Sequence, residues 1–593
     1  MSREDPPPVI AQPYDPSTGR SFEVVDWFGR NSEFPMRPAT TVSPLVCGED
    51  AFAAVARALR AARSSINLCF WGLDPAMLLE RGTASNWDKQ AILGEMLLEK
   101  ARNPAFQIRM VVWDHYKVGI GSGGSGAEDP TDADLGGNST NPAKFRELVK
   151  DYPNIEFEMT NSLSTNPIHL FPSFHQKSII VDIENPSAAT AFVMGHNMLV
   201  NYWSSVNLRR VSPRRQFYLR TMDQVSADQY AQQLETARQN YEFYRDMTGY
   251  VPPRHAATVE RFRREYEALR DLKHAGHFTY RTETSSRIKP YLDISTQIWG
   301  KAVVDVYANF SRVWTANTGE NPPAAPAVSR FSGRARQAPA QVAATFPRAS
   351  PPARDIEKLY LHAMQNADRY ILMVNQYFRN WPLTDRIIDW WATNRDIPIK
   401  KQVPMMIVTN DWNIPANIDE LGFFDRQSVQ AQAGHDGVTF DKFNAAGTPI
   451  SMTTMLNEEA PYHSTVYVHA KLLLVDDVFY SIGSANYNRR GMESDPELNI
   501  GVLDGQEALR LRREIMNILV GDPMNEFDRG NDPMLAFAKW QDMVAQNSVL
   551  AGSPVRLPHG RVVNYTADRR DPNDERANRL AQVTPPGEGG SLG

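Results

Sequence analysis

Apolar positions along the chain fall into two patterns that alternate. Phe52, Val55, Ala56 and Leu59 recur at helical spacing and predict a helix, and the apolar runs SINLCFW and QIRMVVW predict buried strands. The same order returns later. Ile356, Leu359, Tyr360 and Ala363 keep the helical spacing, and YILMVNQYF and PMMIVTN follow as strands. A helical segment separates the two strand runs each time. This alternation, written twice, predicts an α/β fold of two pseudo-symmetric sandwich lobes.

Two compositional breaks divide the pattern. Lys117 to Pro142 is rich in Gly, Asp and Ser and reads as an inserted loop. Asn321 to Arg354 is rich in Pro and Ala and reads as a linker. The expected division is an N-terminal extension over 1–40, a first lobe over 41–285 with the loop 117–142, a connecting region over 286–354, a second lobe over 355–550 and a tail over 551–593.

Composition narrows the class. The chain has 593 residues, 42% of them hydrophobic, enough for a sizeable core. A net charge of -6 counts against a dedicated nucleic-acid binder, so no nucleic-acid partner is expected. Cys47 and Cys69 are the two cysteines, so neither a disulfide framework nor a cysteine zinc site is expected. No apolar run reaches the length that crosses a bilayer, about 18 residues or more. The first residues, MSREDPPPVIAQPYDPSTGR, do not read as a secretory signal, so synthesis in the cytoplasm without a classical signal peptide is expected.

The strongest repeat carries the chemistry. HQKSIIVD runs from His175 to Asp182 and HAKLLLVD from His469 to Asp476, so both fit H-x-K-x-x-x-x-D. A small-residue turn follows each, Gly195-His196-Asn197 after the first and Gly483-Ser484-Ala485-Asn486 after the second. Further on, RQFYLRTMD and PELNIGVLD are expected to correspond.

Residues two apart on a strand share a face, which pairs His175 with Lys177 and His469 with Lys471. Asp182 and Asp476 fall on the opposite face and complete the catalytic set as orienting or structural groups rather than as substrate contacts. Asn197 and Asn486 lie where a turn presents donors. Two histidines, two lysines and two asparagines around one pocket make a phosphate site that needs no metal. One neutral imidazole can attack phosphorus while the other, protonated, gives its proton to the leaving oxygen. Lys177, Lys471, Asn197 and Asn486 are the expected phosphate-binding groups.

With these two motifs and their GHN and GSAN turns, the chain resembles the phospholipase D superfamily. The YILMVNQYF strand is similar to one found in true phospholipases D. Among subgroups it looks most like bacterial phospholipases D of the type VI secretion effector kind. The resemblance implies lobes of phospholipase D type meeting at the active site, a phosphohistidine intermediate, and hydrolysis of the distal phosphodiester to phosphatidic acid and a free head group. It places the nucleophile at His175 and the general acid at His469. It implies a phospholipid membrane surface as substrate, secretion-apparatus and immunity proteins as partners, and export to the periplasm of a target cell. No cofactor is required for this chemistry; calcium dependence stays open. Family members hold each histidine with a further carboxylate. Glu497, with Ser484, is expected behind His469, and the matching place in the first half falls on Gln216. That inequality would raise the pKa of His469 and favour it as the acid.

The alternatives are a nuclease or a phosphatidyltransferase of the same superfamily, or a binding protein on an inactive scaffold. The charge balance and the NQYF strand count against the nuclease, and the intact H-x-K pairs against the inactive scaffold. Weaker candidates remain. His196 is either a substrate contact or an exposed turn residue, and His463 reads as a loop histidine. Asp114 and His115 follow a strand end. Trp71 and Trp113 line either a lipid cleft or the core. The pairs Arg209-Arg210, Arg214-Arg215 and Arg489-Arg490 meet either anionic head groups or carboxylates. The acidic AEDPTDAD segment reads as a solvated loop.

Overall fold

The computed structural model describes residues 26–29, 31–81, 91–113, 149–160, 173–199, 202–209, 290–393, 403–410, 436–457, 465–551 and 553–565, with isolated short stretches between 146 and 282. The expected alternation is present. Strand β1 (Arg37–Val46) leads into helix α1 (Cys47–Ala61), β2 (Ser65–Phe70), α2 (Leu93–Ala101), β3 (Gln107–Trp113) and β4 (Ile155–Thr160). The first motif forms β5 (Lys177–Val181), and β6 (Thr190–Met194) follows. Helix α1 buries Phe52, Val55 and Leu59 completely, each contributing about 1.5–3 kcal/mol of burial.

Three strands then stand apart as a small sheet, β7 (Phe217–Thr221), β8 (His274–Ala275) and β9 (Phe278–Thr282). Next come β10 (Tyr291–Leu292), β11 (Ile294–Gly300) and α3 (Ala302–Thr318). The second half contains β12 (Ala338–Phe346), β13 (Ala353–Arg354), α4 (Asp355–Gln365), β14 (Ile371–Asn375), α5 (Trp381–Thr393), β15 (Met405–Val408) and β16 (Ile450–Met455). It continues through β17 (Tyr467–Val468), β18 (Lys471–Val475) of the second motif, β19 (Phe479–Gly483) and β20 (Glu497–Leu503). Helices α6 (Gly505–Val520) and α7 (Pro533–Leu550) and strand β21 (Val562–Asn564) complete the described chain. None of the described helices is long and apolar enough to cross a membrane.

The fold is mixed α/β and its main sheet is continuous. Its order is β21-β16-β15-β14-β18-β19-β20-β12-β1-β11-β6-β5-β2-β3-β4, with β13 on β12. β2, β3 and β4 pair in parallel, as do β14, β15 and β16. In the middle, β1 and β12 pair antiparallel, so one sheet runs through both halves. The Pro/Ala-rich stretch read as a linker therefore contains a central strand. Ala340, Val342 and Ala344 of β12 are buried under the packing of α3, where small side chains let helix and sheet approach. Its alanines hide that strand from a composition reading. The expected N-terminal extension likewise overlaps β1, and the tail contributes β21 at the sheet edge.

The correspondence drawn between RQFYLRTMD and PELNIGVLD does not hold. The first forms β7 of the small sheet. The place beside β6 belongs to β11, with Met194 opposite Ser295, as β20 lies beside β19 with Gly483 opposite Asn499. β11 is thus the counterpart of β20, with Asp293 just before the one and Glu497 at the start of the other.

Candidate active site

Both H-x-K pairs sit at strand entrances and are buried. His175 donates its backbone N–H to the Pro496 carbonyl, and His469 donates its own to the Leu292 carbonyl, at 3.1 and 2.8 Å. Each histidine is thereby tied to the residues around the other half's carboxylate. Lys177 Nζ donates to the His175 carbonyl at 2.9 Å. Lys471 Nζ donates to the His469 carbonyl and, at 3.1 Å, to Gln376 Oε1.

The carboxylates are crossed. His175 Nδ1 lies 2.7 Å from Glu497 Oε1, and His469 Nδ1 lies 2.7 Å from Asp293 Oδ2. Glu497 was expected behind His469 and serves His175 instead. The place assigned to Gln216, which lies outside the described residues, is filled by Asp293. Ser484 Oγ donates to Glu497 Oε2 and accepts the Leu498 N–H, so it does hold Glu497. On the other side Gly195 stands in for Ser484, because a Cβ there would fall 2.2 Å from Asp293 Oδ1. Asp293 Oδ1 accepts the Ile294 N–H at 2.8 Å.

This geometry removes the expected inequality of the histidines, since each has a carboxylate. Burial dominates both and pushes both imidazoles well below their usual pKa, with Lys177 and Lys471 adding to the effect. Burial also lowers Lys177 to about 8 and takes Lys471 well below the usual lysine range, against the opposing pull of Asp293 and Glu497. Glu497 is raised by burial, with Lys177 and the Ser484 hydroxyl opposing. Burial thus favours the neutral form of both imidazoles, beside two lysines and two carboxylates.

The asparagines differ. Asn197 Oδ1 accepts the Gly72 N–H at 3.0 Å and its Nδ2 donates to the Tyr202 hydroxyl at 2.9 Å, so both ends are engaged within the protein. Asn486 Oδ1 is buried without a partner. Asp182 and Asp476 lie at the far ends of β5 and β18, in left-handed backbone at φ 53° and 58°. Asp182 accepts the Arg63, Ser64 and Ser65 N–H groups, and Asp476 those of Asp368, Arg369 and Tyr370. They pin the loops that enter β2 and β14, so they act on strand placement, away from the histidine ends.

His196 is buried rather than exposed. Its Nδ1 lies 2.7 Å from Ser295 Oγ, its ring is edge-on to Phe52, and its Nε2 has no partner. Trp71 stacks on Trp113 and stands edge-on to His175. Arg489 and Arg490 pair with Glu493 and Asp495, and Arg214 with Glu49, which favours the carboxylate reading. Asp114, His115, Arg210, Arg215, His463 and the loop 117–142 lie outside the described residues. The pattern missed Asp293, Tyr202 and Gln376. For Asp293 a signal existed: YLDISTQIW places a carboxylate before a strand as PELNIGVL does.

Residues 360–519 match the family model described as the cardiolipin synthase, PLD-like domain. Phospholipase D alpha 4 of Arabidopsis thaliana is 23% identical over 277 residues, 36% of this chain and 36% of that protein. Human phospholipase D1 is 23% identical over 256 residues, 35% of this chain and 23% of that protein. The chain thus spans little more than a third of the curated relatives it matches, or less. Among solved structures, phosphatidylserine synthase of Haemophilus influenzae Rd KW20 covers 93% of this chain and 95% of its own at 12% identity and a TM-score of 0.42. The phospholipase D family member Nuc of Salmonella typhimurium covers 34% of this chain and 91% of its own at 16% identity and a TM-score of 0.19.

Proposed function

We propose that this protein, a member of the phospholipase D superfamily, is a phospholipase D that hydrolyses the distal phosphodiester of glycerophospholipids. The observation that carries the reading is the pair of crossed imidazole–carboxylate contacts at 2.7 Å, each beside a buried lysine. His175 Nε2 is buried and unpartnered, so its lone pair is available for attack. It forms the N–P bond as the bond from phosphorus to the head-group oxygen breaks, and that oxygen takes the proton from His469 Nε2. Water then attacks phosphorus and gives its proton to His469 Nε2. The N–P bond breaks, leaving phosphatidic acid and a free His175.

With both imidazoles pushed down by burial, His469 takes up its acid proton from solvent as the phosphodiester binds. The anion supplies the negative charge that offsets an imidazolium between Lys177 and Lys471. Glu497 and Asp293 fix which ring nitrogen faces the substrate and steady the imidazolium as it forms. Lys177, Lys471 and Asn486 are the groups proposed to meet the phosphate oxygens. No cofactor enters these steps, and calcium is left to experiment.

A second reading, a phosphatidyltransferase, is favoured by the match of residues 360–519 to a synthase-type model. It uses the same phosphohistidine with an alcohol in place of water. The proposal extends to a lipase effector delivered by a type VI apparatus to a target periplasm and neutralised by an immunity protein. That extension rests on the sequence resemblance alone.

The test is head-group release from mixed phospholipid vesicles, with and without glycerol as acceptor and with plasmid DNA in parallel. Wild type is compared with His175→Ala and His469→Ala. Release in wild type and loss in both variants is expected. Phosphatidylglycerol formed in place of phosphatidic acid would select the transferase. Plasmid cleavage without lipid turnover would overturn the lipid reading, and unchanged turnover in both variants would overturn the mechanism.

A further inference from the structure

The two catalytic imidazoles differ at the nitrogen that meets the substrate. His175 Nε2 has no partner, whereas His469 Nε2 lies 3.3 Å from the hydroxyl of Tyr202. Tyr202 is 7% exposed, and its ring stands edge-on to His469, with centroids 4.8 Å apart and planes at 87°. Its hydroxyl is held from behind by Asn197.

The direction of each hydrogen bond in this chain follows from its fixed end. The Gly72 N–H can only donate, so Asn197 presents Oδ1 to it, and Nδ2 is the atom that faces Tyr202. Nδ2 can only donate, so the phenol oxygen accepts. The phenol proton is then left to donate, and among the described residues His469 Nε2 is the acceptor in reach. A nitrogen that accepts carries no proton, so the imidazole proton sits on Nδ1 and goes to Asp293 Oδ2. The four groups form one directed relay from Asn197 through Tyr202 and His469 to Asp293. Lys471 Nζ also reaches the ring, at 2.8 Å from Nδ1 and 3.0 Å from Nε2, and as an ammonium it too can only donate. Among the described residues no hydroxyl reaches His175 Nε2, and Asn486, at the corresponding turn, has its Oδ1 unpartnered.

We propose that Tyr202 is a positioning residue, whose hydroxyl, aimed by Asn197, occupies His469 Nε2 until a phosphodiester displaces it. This rests on the functional reading above for its role in turnover, though the hydrogen bond itself does not. The cap leaves His175 as the one imidazole of the pair with a free lone pair. It also holds the His469 ring in the plane its acid step requires. The leaving oxygen, and later the attacking water, take the place of the phenol at Nε2. A donor at Nε2 favours the neutral ring, so removing it raises the pH at which His469 takes up a proton. The other groups that bear on His469 are Asp293 before β11, Lys471 on β18, Lys177 on β5 and His196 after β6, with the Tyr291 and Tyr467 rings stacked beside it. None of them changes in a Tyr202→Phe variant, which keeps the ring and deletes the hydroxyl.

The experiment uses the full chain labelled with 15N-histidine, with His469 assigned by the loss of its signals in His469→Gln. In wild type the free protein shows a neutral His469 with its proton on Nδ1. In Tyr202→Phe its titration moves up by about 0.7 pH unit, the equivalent of one ordinary hydrogen bond. The alkaline limb of kcat/KM on an alkyl phosphodiester moves up by the same amount. On bis(4-nitrophenyl) phosphate, whose leaving group needs no acid, kcat/KM stays near wild type. A proton on Nε2 in wild type would overturn the proposal even if the variant fails to fold. An unmoved titration in a folded Tyr202→Phe would overturn it as well. If wild type cleaves neither diester, the functional reading fails and the titration alone decides the hydrogen bond.

Discussion

Replacing Asp293 by Asn separates the crossed arrangement from a simpler site in which only Glu497 matters. Asp293 is fully buried, with Oδ2 2.7 Å from His469 Nδ1 and Oδ1 accepting the Ile294 N–H at 2.8 Å. Asn has the same shape, so packing is kept. The Ile294 N–H still requires an acceptor, which fixes the amide oxygen there and turns Nδ2 toward His469. A donor then faces Nδ1, which must itself donate, and the imidazole is driven to the wrong tautomer. In a serine protease triad the same exchange lowers kcat about 10⁴-fold. Loss of the charge that steadies the imidazolium is worth about 1.5–3 kcal/mol by itself, about 10- to 150-fold. The expected fall in kcat is therefore about 10³- to 10⁴-fold, with KM less affected because Lys177 and Lys471 remain. Head-group release from vesicles measures it, alongside a thermal melt to show the variant is folded. A folded Asp293→Asn that keeps more than a tenth of wild-type kcat would refute the pairing of Asp293 with His469.

Other outcomes follow from the same geometry. Asp182→Ala and Asp476→Ala each strand several backbone N–H groups, so a loss of about 2–5 kcal/mol in denaturant unfolding is expected, with kcat of the folded fraction near wild type. Gly195→Ala puts a Cβ 2.2 Å from Asp293 Oδ1, and activity should fall at least 100-fold while Gly319→Ala, whose Cβ meets nothing within 4 Å, costs only stability. Burial lowers both catalytic histidines in the folded protein, so below pH 6.5 the unfolded chain binds more protons and stability falls with pH. Between pH 7.5 and 5.5 that amounts to about 1.4 kcal/mol per histidine. Asp476, raised to about 7, works in the opposite direction, its contribution being lost as pH rises through that value. Comparing unfolding of wild type with a His175→Gln/His469→Gln variant isolates the histidine part, and identical pH slopes would contradict it.

The motif chemistry is legible in the sequence because it is local. His and Lys two apart share a strand face whatever the rest of the chain does, and β5 and β18 form where the apolar runs place them. Asp293 is hidden because a long insertion separates it from Asn197. Glu497, by contrast, follows Asn486 in the next strand. The pairing of each carboxylate with the opposite histidine is a property of the sheet order, which no spacing rule encodes. β12 escapes notice for another reason: its alanines read as linker composition, and only burial between β1 and β20 makes them a strand. The aspartates of the two motifs are visible but their place is not, since the strand's length carries them away from the histidine end.

The crossed carboxylates have a consequence for synthesis. A ribosome that has delivered His175 has made an imidazole whose orienting carboxylate, Glu497, does not yet exist. Asp293 is already made at that stage of the second half, but it waits for His469. Neither nascent half can therefore hold a correctly aligned imidazole, and competence appears abruptly when β20 is laid against β12. A chain cut between residues 469 and 497 keeps the His469–Asp293 pair but leaves His175 without its carboxylate. Two fragments divided between α3 and β12 would be silent apart and active only when mixed, which makes the β1–β12 seam a natural place to split the protein into a conditional reporter.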